Sequence, residues 1–132
     1  MPFTEHFSRE EMMCHCGCEY DACDPSLLAG LEILRANIGK PITVTSGTRC
    51  PLHNQKVGGE PGSYHVKGQA ADIQVAGMTA RNLYMMAYAI PQFRGFGVDD
   101  QRAMLHVDTR AVVARWCYRN GKQAPWGAAV SA

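Results

Sequence analysis

Apolar residues recur between positions 25 and 38 at Leu27, Leu28, Leu31 and Leu34, the spacing of one stripe along a helix. Asp24 stands before that stripe as an acceptor for first-turn amides, Pro25 suits the first helical position, and Gly39 ends the run. Upstream, Ser8 and Glu11 have the spacing of a capping box and predict a short helix. Downstream, TARNLYMMAYAI starts at Thr79, repeats apolar positions at Leu83, Met86 and Ala87, and stops ahead of Pro91. Elsewhere the period changes to two. PITVTSG alternates Ile42 and Val44 with Thr43 and Thr45, and QAADIQVAG reads as a second strand. GFGV, RAMLHVDTR and VVARWCYRN read as three more, with a turn signal at Asn120-Gly121.

Between the first two strands, TRCPLHNQKVGGEPGSYH is rich in Gly, Pro, Asn and Ser and predicts a loop with one helical turn before Gly58. A loop of that length inside a compact chain is usually functional or disordered. Helices early, strands late and no regular βαβ alternation predict an α+β fold: a mainly antiparallel sheet with flanking helices. At 132 residues the expectation is one domain over 1–132.

Composition narrows the function classes. Thirteen basic against twelve acidic residues give a net charge of +1 and no basic stripe, so nucleic acid is not an expected partner. No apolar run approaches the length of a membrane span. MPFTEHFSREEMM lacks a basic segment followed by an apolar one, which predicts synthesis in the cytoplasm without a signal peptide. Cys14, Cys16, Cys18 and Cys23 crowd into one stretch, where reduced thiols or a metal site are favoured over disulfides. His15 lies among them as a further ligand candidate, while Cys50 and Cys117 read as core cysteines.

The candidate chemistry lies further on. His65 ends the long loop, Asp72 follows on a strand, and LHVDTR places His106 and Asp108 on one strand face with Val107 turned away. Two imidazoles and a carboxylate form a common catalytic zinc set, and a second carboxylate beside the bound water would serve as general base. Asp108 suits that second role; the alternative is a solvated sheet face with no metal. Small residues at Gly68, Ala70 and Ala71 would let the chain fold back tightly from His65 to Asp72.

TSGTRCPLHNQKVGG, SYHVKGQAADI and LHVDTR, in that order, resemble the zinc peptidases of the D-alanyl-D-alanine carboxypeptidase type, whose fold is shared with the hedgehog signalling domain. The family pattern falls on Ser46, Gly47 and Arg49, on Ser63, His65, Gly68, Ala70 and Asp72, and on His106 and Asp108. The resemblance implies zinc held by His65, Asp72 and His106, with Arg49 orienting substrate or stabilising charge and Ser63 and Tyr64 in the substrate cleft. Several branches of the family carry a glutamate as base three residues before the last histidine; Ala103 stands there, leaving Asp108 for the role. The implied function is zinc-dependent hydrolysis of a peptide bond involving a D-amino acid in the peptidoglycan stem peptide, reached through lysis-linked release. The alternatives are a non-catalytic binding module of the same fold, and an interaction domain whose only metal sits in the cysteine cluster.

Overall fold

The computed structural model describes residues 4–18, 20–59 and 62–126; both ends of the expected domain, residues 1 and 132, lie outside them. Local signals decide where the helices begin. The Ser8 hydroxyl accepts from the Glu11 amide while the Glu11 carboxylate accepts from the Ser8 amide, and this reciprocal cap opens α1 (Arg9–Met12). Asp24 caps α2 (Pro25–Ile38) by accepting from the Ser26 amide at 2.9 Å, and Gly39 closes it in the left-handed conformation. All four leucines of the predicted stripe are buried. The helical turn expected before Gly58 is the six-residue α3 (Pro51–Lys56), capped by Cys50.

Helix α4 (Ala80–Ala87) starts at Thr79 as expected, but its buried face runs through Ala80, Leu83, Tyr84 and Ala87. Met86 is 37% exposed, so Tyr84 takes the place that periodicity assigned to Met86. Ring contacts explain the choice: Tyr84 meets Phe96 edge-on at 5.4 Å and Trp126 at 4.8 Å.

Six strands form one sheet in the order β1-β2-β4-β3-β5-β6: β1 (Thr43–Ser46), β2 (Ala70–Gln74), β3 (Gly95–Asp99), β4 (Met104–Asp108), β5 (Ala114–Arg119) and β6 (Lys122–Ala124). Every neighbouring pair is antiparallel except β3 and β5, which run parallel. The α+β architecture is the predicted one. Strand β6 is additional, brought back along β5 by Asn120 and Gly121, both at positive φ as a tight hairpin turn requires.

Alternation along the strands sorts the two sheet faces. Ile73, Phe96, Val98, Leu105 and Val107 join the leucines of α2 and the buried side of α4 in the core. Asp72, His106 and Asp108 take the intervening positions and so emerge on the other face. Among the described residues no helix is long and apolar enough to cross a membrane.

Candidate metal centre

Strand pairing sets Asp72 directly opposite His106. The Asp72 Oδ1 atom lies 3.1 Å from His106 Nδ1 and 3.3 Å from His65 Nε2. One ligand atom from each of the three residues lies within 4.8 Å of the others, and all three residues are buried. His65 comes from the loop, and Gly68 lets that loop return to β2: its φ is +73°, and a side chain there would run into the Ala22 carbonyl. Smallness at Gly68 thus serves a contact with the N-terminal segment as well as the tight turn expected. Ala70 sits opposite Asp108 in register.

Each imidazole is held from behind. His65 Nδ1 donates to the Gly47 carbonyl at 2.7 Å, which turns Nε2 towards Asp72. His106 Nε2 donates to Asp108 Oδ2 at 2.7 Å, which aims Nδ1 at Asp72. Outer acceptors of this kind fix tautomer and ring orientation for metal binding. Two imidazole nitrogens and a carboxylate oxygen, oriented in this way, fit zinc and leave a fourth position for a water or substrate.

Burial alone would raise the Asp72 carboxyl, but the charge of His65 and hydrogen bonds from both histidines hold it well below the usual carboxylate range. Burial likewise opposes charge on His106, yet hydrogen bonds to Asp108 and Asp72 outweigh it and raise the imidazole. On the outer side of Asp72, Arg49 approaches Oδ2 at 3.4 Å, while its other nitrogens donate to Ser46 Oγ and Asn54 Oδ1, each at 3.1 Å. Arg49 therefore reaches the cleft with its guanidinium braced at three points.

Asp108 occupies a position unlike the one expected for a base. It is fully buried, and both carboxylate oxygens are engaged. Oδ2 accepts from His106 and from Arg110 at 2.7 Å each; Oδ1 accepts from the Arg110 side chain at 2.8 Å and its amide at 3.2 Å. A base for a water on the metal needs an oxygen facing the three ligand atoms, whereas Asp108 sits behind the imidazole. Room for it comes from Gly95 on β3, where a side chain would collide with the carboxylate. Burial raises the Asp108 carboxyl, and the hydrogen bonds from Arg110 and His106 more than reverse this, leaving it well below the usual range.

Arg110 is the residue of this cluster that the motifs did not single out. Its guanidinium stacks 4.6 Å from the Tyr64 ring centre and 4.7 Å from that of Trp116, so it ties the loop, β4 and β5 together. The available signal was the last letter of LHVDTR, an arginine two residues past the aspartate.

Above the cluster opens a cleft of about 770 Å³ whose walls include Ser63, Tyr64, Trp116 and Tyr118. Ser63 accepts from the His65 amide at 3.1 Å and so shapes the loop. Four cations line the cleft, Arg49, Arg102, Arg110 and Lys122, against one carboxylate, Asp72, among the described residues. Ala103 has φ +50° in the turn between β3 and β4, beside an Asp99–Arg102 pair at 2.7 Å.

The cysteines regroup. Cys117 is a core residue as expected, but Cys50 joins Cys14, Cys16 and Cys18, while Cys23 stands apart. Burial, with Asp24 and Asp21 nearby, pushes the Cys23 thiol up to about 11. His15 Nε2 meets the Glu11 carbonyl at 3.0 Å and lies outside the thiol group. His6 is exposed and pairs with Glu32 at 2.7 Å.

Comparison with known proteins gives one family: the Peptidase M15 sequence model matches residues 5–108. No curated protein sequence matches the chain.

Proposed function

The chain belongs to the Peptidase M15 family of zinc-dependent peptidases, and on that premise we propose that it hydrolyses a peptide bond involving a D-amino acid in bacterial peptidoglycan. The observation that carries this reading is the His65–Asp72–His106 set at the floor of an open cleft. Zinc held by those three residues would polarise the scissile carbonyl and acidify a water. The Gly47 carbonyl and Asp108 keep the two imidazoles turned inward. Arg49 fixes the outer oxygen of Asp72 and presents positive charge to a substrate carboxylate or to the oxygen of an attacked carbonyl. Ser63 and Tyr64 line the path along which a stem peptide would lie. The cationic lining supports a peptide bearing carboxylates, as stem peptides do, and Tyr64 and Trp116 supply flat walls for its backbone.

Asp108 is a positioning residue in this reading: it carries no proton from substrate and acts through His106. That departs from the sequence expectation, and the buried, doubly engaged carboxylate is the reason.

A second reading has one observation in its favour. Asp72 is the only carboxylate among the described residues lining the cleft, and Ala103 replaces the glutamate found in several branches. A zinc-loaded module that binds wall peptide without cleaving it would look the same. Release of free amines from purified peptidoglycan, measured with and without a chelator and after zinc add-back, separates the two. Chelator-sensitive release restored by zinc supports the hydrolase; binding to peptidoglycan by zinc-loaded protein with no release overturns it in favour of the module.

A further inference from the structure

Four thiols from two distant parts of the chain converge on one point: the sulfurs of Cys14, Cys16, Cys18 and Cys50 all lie within 4.8 Å of one another. Cys14 Sγ is 3.4 Å from Cys16 Sγ, which is 3.7 Å from Cys50 Sγ. All four are free thiols, with no disulfide among them. A zinc–thiolate bond of about 2.3 Å puts the sulfurs of a tetrahedral site about 3.8 Å apart. The separations of 3.4 and 3.7 Å fall just under that edge, and no pair of the four sulfurs is more than 4.8 Å apart.

The surrounding backbone is arranged to hold the group. The Cys14 amide donates to the Tyr20 carbonyl at 2.7 Å and closes the N-terminal loop on itself. The Thr48 amide donates to the Met12 carbonyl at 2.7 Å, which docks that loop beside the segment leading to Cys50. Cys50 is the cap of α3, and its sulfur accepts from the His53 amide at 3.3 Å, a hydrogen bond of the kind that supports a metal-bound thiolate. Cys14 is buried, whereas Cys16 and Cys18 are exposed and give an ion a route in from solvent.

We propose that Cys14, Cys16, Cys18 and Cys50 form a second, structural zinc site, distinct from the His65–Asp72–His106 centre. On binding, the four thiols release their protons to solvent and each sulfur donates one electron pair to the ion; nothing is oxidised or reduced. Four soft ligands complete the coordination, so the site has no open position and no role in turnover. Its effect is mechanical. Cys50 directly follows Arg49 and starts the helix that carries Asn54, the partner of Arg49, so the ion pins the N-terminal loop to one wall of the cleft.

The test uses the full chain, purified under reducing conditions without chelator, and reads metal content by elemental mass spectrometry. The wild-type protein is expected to hold two zinc ions per chain. His106→Ala is expected to keep one, with the clustered thiols shielded from a thiol reagent until zinc is stripped. The double variant Cys16→Ser/Cys18→Ser is expected to keep the other. Cobalt exchanged into wild-type protein reads the thiolate site without a mutation, so misfolding of the variant does not blunt the test; a thiolate-to-cobalt charge-transfer band is the expected result. Absence of that band, no metal in His106→Ala, or a mass showing disulfides in freshly reduced protein overturns the proposal. Failure of peptidoglycan hydrolysis with the band present counts against the catalytic reading alone.

Discussion

The histidine centre and the thiol cluster share the segment from Gly47 to Cys50, yet they are built in opposite ways. In the cleft, three candidate ligand residues are buried, two of them are braced by outer hydrogen-bond acceptors, and all three line an open volume. In the N-terminal loop, four sulfurs surround one point, and Cys16 and Cys18 are exposed. The first geometry suits exchange of substrate and water; the second suits a permanent clasp. The difference teaches that rigidity is supplied by different means. Around the histidines it comes from hydrogen bonds to Gly47, Asp108 and Arg49, and around the thiols it comes from the coordination itself.

The largest effect is expected from removing a histidine ligand. His65→Ala or His106→Ala should abolish amine release from peptidoglycan and lose one zinc, leaving the far-ultraviolet circular dichroism of the fold in place. Loss of the whole fold would instead make the cleft centre the structural one and reverse the comparison.

Asp108→Ala comes next and distinguishes brace from base. A brace behind His106 predicts zinc affinity or activity lower by about 10–100-fold, with affinity itself reduced. A base predicts unchanged zinc affinity and a turnover loss of about 10²–10⁴-fold. Competition for zinc with a chromophoric chelator, run beside turnover, reads both.

Gly68→Ala attacks the contact where the two regions touch. The positive φ alone costs about 1–3 kcal/mol for a residue with a side chain, and the Ala22 carbonyl blocks the new methyl group. The Asp24 amide also donates to the Gly68 carbonyl at 2.8 Å, so the strain spreads to the cap of α2. A lowered urea midpoint with both zinc ions retained is the expected result.

The smallest effect belongs to His6 and Glu32, which fasten the N-terminal segment to α2 from outside. Burial raises the Glu32 carboxyl, but hydrogen bonds from His6 bring it below its ordinary value. A depressed folded pKa contributes stability above the unfolded value of about 4.3 and loses it as pH falls through the folded one. Glu32→Gln should therefore cost under about 1 kcal/mol at neutral pH, with the difference vanishing in acid, as thermal melts across pH would record.

Periodicity and capping chemistry were readable from the chain because each depends on neighbours a few residues apart. Ser8 with Glu11, Asp24 with Ser26, the leucine stripe of α2 and the shared face of His106 and Asp108 all belong to that class. The order of motifs also located the cleft, with His65, Asp72 and His106 together at its floor and Arg49 at its edge. Tertiary packing decided the remainder. Whether Asp108 faced a water or the back of an imidazole depended on Gly95, two strands of register and an arginine clamped between Tyr64 and Trp116. The fourth thiol was Cys50 rather than Cys23, because loop docking at Thr48 outweighs nearness in sequence. Tyr84 displaced Met86 from the core for the same reason: a stripe states which residues share a face, and only the opposing surface selects which of them it covers.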